Sequence, residues 1–268
     1  MEYRELGSTG EMVPEIGLGT WRYKGGPEPL RKGIELGATL IDTAEMYRTE
    51  DAVGEAIRGR RGQVFLATKV LGSNLRYDQV LRAAEKSLSL LDDGVIDLYQ
   101  LHWSDPSVPI SETMRAMEEL IDRGVVRHIG VSNFSVAELR DAQQAMTKYP
   151  IVSNQVLYNL KKRDIERDLI PYCVDNHITV IAYTPLADGS LSGKSRFRPD
   201  RGGAALEQVA ADVGKTPAQV ALNWCLSRPN VIVIPKTNSV ARTVENCAAS
   251  GWSLSPSQVA ALEQAFPL

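Results

Sequence analysis

The stretch Leu40–Tyr47 (LIDTAEMY) leaves an apolar strand and places a carboxylate, Asp42, and a phenol, Tyr47, at the strand's exit. Two later apolar runs, VFLATK and VIDLYQLHW, also reach an ionisable side chain at or near their ends, namely Lys69 and His102. Catalytic groups of a parallel barrel come from the carboxyl ends of several strands, which lie at one face. If the three runs are parallel strands, the pattern predicts that the four groups converge in one pocket.

These four residue types suit proton transfer to a substrate oxygen. A tyrosine hydroxyl titrates at about 10 in water, and an adjacent ammonium stabilises the phenolate and lowers that pKa. A carboxylate beside Lys69 would keep the ammonium charged and directed, and His102 would donate a hydrogen bond to the oxygen. Taken singly, each residue type more often has an ordinary structural role. Asp42 could be a turn residue, and Tyr47 could be a surface aromatic. The prediction therefore depends on their joint position at three successive strand ends.

Strand-like and helix-like segments alternate over almost all of the 268 residues, with no linker or shift in composition that divides them. Such alternation favours one α/β unit, and the length fits a single (β/α)₈ barrel. We predict a TIM barrel that forms one domain over residues 1–268, with an N-terminal β-hairpin over 3–14 and two extra helices. Besides the strand that begins at Leu40, the predicted strands are Ile16–Trp21, Val64–Lys69, Val95–Trp103, Val126–Val131, Val152–Val156, Thr179–Leu186 (running into a loop) and Val231–Pro235.

Ten helices are predicted from helical spacing of apolar residues and from capping residues. They are Pro29–Leu36, Glu50–Arg58, Asp78–Leu91, Ser111–Asp122, Val136–Ala145, Asp164–Asp175, Ala205–Val213, Pro217–Ser227, Val240–Ala249 and Pro256–Ala265. The irregular segment Asp188–Gly203 contains four glycines and reads as a flap.

Composition excludes several classes of partner. The formal net charge is −3 and no basic stripe occurs, so we expect no nucleic acid and no membrane surface as partner. No apolar run approaches the length of a bilayer crossing, and no signal-peptide pattern opens the chain. The three cysteines, Cys173, Cys225 and Cys247, match neither a disulfide framework nor zinc-ligand spacing. We expect a cytoplasmic enzyme that uses no metal.

The four strand-end residues, together with GVSNF (Gly130–Phe134) and IPKT (Ile234–Thr237), resemble the aldo-keto reductase family in residue type and order. The resemblance extends from the first strand to the last helix. It implies an NADPH-dependent oxidoreductase that reduces aldehyde and ketone carbonyls to alcohols, with hydride transfer to the carbon and Tyr47 as the general acid. It also implies that Lys69 lowers the phenol's pKa, and that the protein is a monomer.

The resemblance places the nicotinamide at the ends of the fifth to seventh strands. Ser132, Asn133 and Gln155 would hold its carboxamide, and Tyr183 would stack against its ring. An alternative interpretation makes Ser132 and Asn133 a helix N-cap before Val136–Ala145, a role that these residue types favour.

The resemblance places the phosphates of NADP after the seventh and eighth strands, with the 2′-phosphate after the eighth. Lys236 and Arg242 can carry the positive charge that a 2′-phosphate requires, although both could also be solvated charges at a helix start. Thr184, which follows Tyr183, stands at a position where the family usually has serine. The remaining predicted cofactor contacts are Gly19, Thr20, Thr184, Pro185, Leu186, Thr237, Asn238, Glu245 and Asn246.

Two tryptophans, Trp21 and Trp103, are the predicted substrate contacts. A short loop after the fourth strand and a short C-terminus predict an open pocket for assorted small aldehydes and ketones, as in prokaryotic members of the family. The glycines near Trp21 are not a dinucleotide fingerprint, because Arg22 stands where its third glycine belongs.

Two other functions remain open at this point. A lysine at a barrel strand end could form a Schiff base, which would make Lys69 the nucleophile of an aldolase. The barrel could also be a non-catalytic, NADP-binding accessory subunit.

Overall fold

The computed structural model describes residues 1–193 and 201–268. Within these ranges, two strands form a hairpin and eight parallel strands form one sheet in the order β3 to β10. The strands are β1 (Tyr3–Glu5), β2 (Met12–Pro14), β3 (Leu18–Gly19), β4 (Leu40–Asp42), β5 (Phe65–Val70), β6 (Ile96–Leu101), β7 (Val126–Ser132), β8 (Ile151–Leu157), β9 (Thr179–Tyr183) and β10 (Val231–Val233).

Hydrogen bonds between the first and last strands close the sheet into a barrel. Parallel bridges join Ile16 to Val233 and Gly19 to Lys236, and the Gly17 amide donates to the Val233 carbonyl oxygen at 2.8 Å. A Cβ at Gly19 would lie 2.6 Å from the carbonyl oxygen of the facing Ile234. Glycine is therefore required where these strands meet, and the predicted (β/α)₈ barrel with its N-terminal hairpin is confirmed.

The helices in the described ranges are α1 (Pro27–Glu35), α2 (Glu50–Ile57), α3 (Tyr77–Leu91), α4 (Ile110–Asp122), α5 (Val136–Ala145), α6 (Leu169–Asp175), α7 (Arg201–Val213), α8 (Pro217–Leu226), α9 (Val240–Cys247) and α10 (Pro256–Ala265). Helices α7 and α10 are the two additions to the barrel, and they pack on each other where Gly202 faces the Phe266 ring. None of the helices in the described ranges has the length and apolarity that a bilayer crossing requires.

Two predicted helix starts are wrong. Residues Asp164–Glu166 form a separate 3₁₀ turn, and α6 begins only at Leu169. Pro171 is the physical reason, because proline lacks an N–H donor and is tolerated only in the first turn of a helix. The helix predicted from Ala205 instead begins at Arg201. The predicted flap is therefore helical over 201–203, and its residues 194–200 lie outside the described ranges.

The barrel interior is apolar at the bottom and polar at the top. Hairpin residues Leu6 and Val13 join Phe65 and Ala67 in the interior cluster, so the hairpin closes the bottom. Along β5, Leu66 and Val70 belong instead to the outer core under the helices. Because side chains alternate between the two faces of a strand, Lys69 follows Phe65 and Ala67 into the interior, at its upper end.

Candidate active site

Lys69 lies fully buried at the top of the barrel and is held by two acceptors. Its Nζ donates to Asp42 Oδ1 at 2.7 Å and to the Thr43 carbonyl oxygen at 2.9 Å. The same nitrogen lies 4.9 Å from the centroid of the Tyr47 ring. The structure therefore brings the predicted carboxylate, ammonium and phenol together, from β4, β5 and the turn after β4.

A 3₁₀ turn over Glu45–Tyr47 directs the phenol inward. The turn follows an extended residue, Ala44, and ends at Arg48, whose φ of 54° reverses the chain. The Tyr47 ring meets His102 edge-on at a centroid distance of 5.4 Å and lies 5.0 Å from the Trp21 ring. These contacts complete the predicted group of four, which we call the tetrad (Asp42, Tyr47, Lys69 and His102).

Burial dominates the electrostatics of the phenol. Desolvation raises the pKa of Tyr47, and the positive charge of Lys69 offsets this only in part. The influence of Lys69 therefore has the predicted sign, but burial outweighs it and the net shift of the phenol's pKa is upward. Burial is the largest single influence on Lys69 and acts to lower its pKa, but the charges of Asp42 and Tyr47 and their hydrogen bonds together outweigh it, and the pKa of Lys69 is raised. Lys69 is therefore a cation.

His102 is neutral at ordinary pH. Burial, with a smaller contribution from Lys69, lowers the pKa of His102 to about 3. Its ring stacks on Trp103 at 3.9 Å with an interplanar angle of 8°. Its Nδ1 is buried and has no hydrogen-bond partner among the described residues. The single N–H of the neutral ring can serve a ligand through Nε2.

The residues predicted to bind the carboxamide form a network behind the tetrad. Gln155 Nε2 donates to Asp42 Oδ2 at 2.7 Å, and Ser132 Oγ donates to the Gln155 carbonyl oxygen at 2.8 Å. The Tyr183 hydroxyl donates to Asn133 Oδ1 at 2.9 Å. The helix-cap interpretation is wrong, because Ser135 caps α5 through the Glu138 amide.

Backbone strain accompanies this part of the site. Asn133, Thr184 and Arg22 have φ values of 62°, 51° and 53°, a region that non-glycine residues adopt at an energetic cost. All three line the same cleft. Strained residues of this kind gather at ligand-binding sites, where the surrounding structure maintains them.

The far end of the cleft is cationic. Burial is the main cause that lowers the pKa of Lys236, followed by the charges of Arg22, Arg242 and Lys24. The side-chain nitrogens of Lys236 and Arg242 form no hydrogen bond or ion pair with any residue in the described ranges. Lysine and arginine that lack acidic partners fit a phosphorylated ligand, and the polar groups and Tyr183 at the other end fit a carboxamide and a flat ring.

One cleft of about 550 Å³ joins the two ends, a volume within the range of ligand pockets. Every predicted site residue lines it except two. Lys69 lies behind Asp42 and Tyr47, and Asn238 accepts the Lys24 amide through Oδ1 at 3.0 Å. Thr20 reaches the cleft, but its hydroxyl is buried and donates to the Asp42 carbonyl oxygen at 2.9 Å.

The sequence missed several lining residues, of which Arg22 is the most informative. In the sequence Arg22 counts only against a dinucleotide fingerprint, yet it lines the cleft and lies near Lys236. A cation directly after a barrel strand was the available signal. Asp188, Gly189 and Ser192 line the cleft from the described part of the predicted flap. No group of metal-ligating side chains occurs within the described ranges.

Comparisons with known proteins identify the family of the chain. Residues 15–266 match the model of the aldo/keto reductase family. Methylglyoxal reductase YeaE of Escherichia coli K12 is 38% identical, and the alignment covers 100% of this chain and 96% of that protein.

Two solved structures share the fold. A thermostable aldo-keto reductase crystallised with epalrestat is 39% identical at a TM-score of 0.92, with 99% of this chain and 100% of that chain covered. An aldo/keto reductase of Klebsiella pneumoniae, crystallised with NADP and acetate, is 38% identical at a TM-score of 0.85, with coverages of 96% and 92%. The chain belongs to the aldo/keto reductase family.

Proposed function

We propose that Tyr47 is the general acid of a carbonyl reductase, with Lys69 as the cation that stabilises its phenolate. The family gives the reaction, which is NADPH-dependent reduction of aldehyde and ketone carbonyls to alcohols. One observation carries the assignment of roles, namely the fully buried Lys69 ammonium held by Asp42 at 2.7 Å and lying 4.9 Å from the Tyr47 ring. A buried cation at this place favours the charged form of the phenol that has lost its proton.

The cofactor-binding residues are assigned from the groups that lie at the two ends of the cleft. Ser132, Asn133 and Gln155 would bind the carboxamide, Tyr183 would stack on the ring, and a cationic group would hold the 2′-phosphate. That group consists of Lys236 and Arg242, to which we add Arg22. NADPH, when bound, supplies the hydride that reaches the carbonyl carbon.

The geometry of the tetrad indicates which group donates the proton. A carbonyl oxygen between Tyr47 and His102 would accept hydrogen bonds from the phenol and from Nε2 of the neutral imidazole. As negative charge develops on that oxygen, Tyr47 transfers its proton and becomes a phenolate beside Lys69. Solvent at the cleft mouth then returns a proton to Tyr47. Asp42 keeps the ammonium in place.

Two half-exposed tryptophans form the walls at the substrate end. Trp21 and Trp103 are 43% and 39% exposed, which favours small substrates that gain little from deep burial. Because a methylglyoxal reductase is among the relatives, small dicarbonyl compounds are the first class to test.

NADPH oxidation against a panel of small aldehydes, ketones and dicarbonyls, with NADH in parallel, tests the proposal. We expect turnover of several panel members and a preference for NADPH. Failure to oxidise NADPH with any member, while NADPH still binds, would instead favour the accessory-subunit alternative.

The aldolase alternative conflicts with the state of Lys69. A Schiff-base lysine must be a neutral amine that the substrate can reach, whereas Lys69 is fully buried and Asp42 raises its pKa. Borohydride treatment in the presence of substrate should leave the mass of the protein unchanged.

We also propose that the chain forms one domain and acts as a monomer in the cytoplasm. Three buried free thiols, at Cys173, Cys225 and Cys247, support a reducing compartment. Light scattering should give the mass of one chain, and denaturant should unfold the protein in one transition.

A further inference from the structure

The Glu45 carboxylate links the turn that carries Tyr47 to the loop that follows Lys69. Its Oε2 accepts the Leu71 amide at 3.0 Å, and Asn74 Nδ2 donates to Oε1 and Oε2 at 2.9 and 3.1 Å. Glu45 lies two residues before Tyr47 in one 3₁₀ turn, and Leu71 lies two residues after Lys69. One side chain therefore connects the backbone beside the phenol to the backbone beside the ammonium.

Thr43, two residues before Glu45, is tied to β5, because its amide donates to the Ala67 carbonyl oxygen at 2.9 Å and its carbonyl oxygen accepts Lys69 Nζ at 2.9 Å. The turn itself, Glu45–Tyr47, has few other polar anchors. Its backbone bonds are local, from the Tyr47 amide to the Ala44 carbonyl oxygen at 2.9 Å and from the Arg48 amide to the Glu45 carbonyl oxygen at 3.4 Å. Such bonds shape the turn but do not join it to the loop after β5. The three bonds made by Glu45 do cross to the neighbouring loop, and bonds to a charged acceptor are stronger than neutral ones.

The charge of Glu45 is not itself useful to its surroundings. Desolvation is the main cause that raises the pKa of the buried Glu50 carboxyl, and the negative charge of Glu45 raises it further. The same charge acts on the buried Tyr99 hydroxyl. A carboxylate that is electrostatically unfavourable to two neighbours is best explained by the contacts that it makes.

We propose that Glu45 is a positioning residue, which sets the separation between the Tyr47 phenol and the Lys69 ammonium by joining the turn after β4 to the loop after β5. This inference rests on the proposed roles of Tyr47 and Lys69. The side chain does not reach the substrate, and it acts only through the turn.

Glu45→Ala and Glu45→Gln test the proposal. Loss of all three bonds in Glu45→Ala should lower kcat about 10- to 100-fold, the scale expected when a reacting group is misplaced by about 1 Å. The Kd for NADPH should stay within twofold of the wild type. Glutamine keeps an acceptor for Leu71 and, with the Asn74 amide rotated, a partner for Asn74, so Glu45→Gln should restore most of kcat. Equal losses in both variants would overturn a role based on contacts.

Glu118→Ala is the matched control. Glu118 Oε1 accepts the Thr147 amide at 2.7 Å and Oε2 accepts the Thr147 hydroxyl at 2.8 Å, so this carboxylate also joins two segments, α4 and the loop before β8, in a part of the barrel that carries no tetrad residue. Both alanine variants should lose similar thermal stability, but only Glu45→Ala should lose kcat. In Glu45→Ala, the alkaline limb of the pH profile of kcat should also move to higher pH, because a phenol farther from Lys69 is harder to ionise.

A double-mutant cycle with Asn74→Ala tests whether the loss of kcat in Glu45→Ala arises from the contact between Glu45 and Asn74. Asn74→Ala alone should lower kcat by less than Glu45→Ala, and it should add nothing in the Glu45→Ala background. Additive losses would overturn the proposal. If Glu45→Ala retains wild-type kcat while Tyr47→Phe is inactive, only the role of Glu45 fails. If Tyr47→Phe itself retains activity, the proposed function fails independently of Glu45.

Discussion

The two ends of the cleft hold their charges in opposite ways. At the chemical end, formed by the tetrad, the Lys69 ammonium and the Asp42 carboxylate are buried and hydrogen-bonded to each other at 2.7 Å. At the cationic end, formed by Arg22, Lys236 and Arg242, no ion pair with a residue in the described ranges compensates Lys236 or Arg242. Folding alone therefore organises the chemical end, whereas the cationic end keeps positive charge for an anionic ligand.

This difference indicates that the two ends of the cleft contribute differently to rate and to affinity. Groups fixed before a ligand arrives can stabilise charge that develops during reaction without reorganising. Groups that carry uncompensated positive charge gain most when a phosphate binds. Substitutions at the chemical end should alter rate, and substitutions at the cationic end should alter affinity.

Tyr47→Phe should have the largest effect on rate. Removing a general acid costs about 10²- to 10⁴-fold in rate, while phenylalanine keeps the ring contacts with Trp21 and His102. Steady-state kinetics should show that loss in kcat, and fluorescence titration should show an unchanged Kd for NADPH. Turnover within twofold of the wild type would contradict the assignment of Tyr47 as the general acid.

Lys69→Met should have the largest effect on stability. Breaking a buried ion pair leaves an uncompensated charge, here on Asp42, and lowers the free energy of unfolding by about 3–5 kcal/mol. Denaturant unfolding measures this loss. Arg123→Ala is the control, because its pair with Glu119 at 2.9 Å is largely exposed and such pairs contribute at most about 1 kcal/mol. Similar losses in the two variants would contradict a preorganised chemical end.

Arg242→Ala should weaken NADPH binding about 10- to 100-fold, which corresponds to about 1.5–3 kcal/mol for a hydrogen bond to a charged group. The Kd for NADH, which lacks the 2′-phosphate, should change by less than twofold. Parallel titrations with the two cofactors measure the difference. An equal loss for both cofactors would show that Arg242 does not recognise that phosphate.

The smallest predicted effect concerns pH. The pKa of His102 is about 3 in the folded protein and about 6.5 in an unfolded chain. Between these values the unfolded state binds one more proton, so the stability contributed by neutral His102 is complete above pH 6.5 and decreases as the pH falls towards 3. The slope is at most about 1.4 kcal/mol per pH unit. Denaturant unfolding at pH 7 and pH 5 should show a smaller decrease for His102→Gln than for the wild type, and an equal decrease would contradict a buried neutral imidazole.

The sequence predicted features that depend on where parallel strands end, because the carboxyl ends of barrel strands lie at one face. That rule placed Asp42, Lys69 and His102 together from their runs alone. The alternation along β5 agrees with this placement, since Phe65, Ala67 and Lys69 point inward while Leu66 and Val70 face the outer core.

Features that depend on distances across the barrel were not predictable. The Gln155 side chain reaches Asp42 over a separation of 113 residues, and no local pattern encodes that contact. The sign of the Tyr47 pKa shift depends on how far burial outweighs Lys69, which requires coordinates. Arg22 was missed because a cation after the first predicted strand does not show which way its side chain points. That direction depends on a left-handed backbone, with φ of 53°, which requires coordinates.

The separation of rate from affinity is tested most directly by single-turnover oxidation of saturating NADPH in Tyr47→Phe, Arg242→Ala and the double variant. We predict that the double variant reacts at the rate of Tyr47→Phe and binds NADPH with the affinity of Arg242→Ala, so that the free-energy changes add to within about 0.5 kcal/mol. A slowed single turnover in Arg242→Ala at saturation, or a double variant that departs from additivity by more than this, would contradict the account.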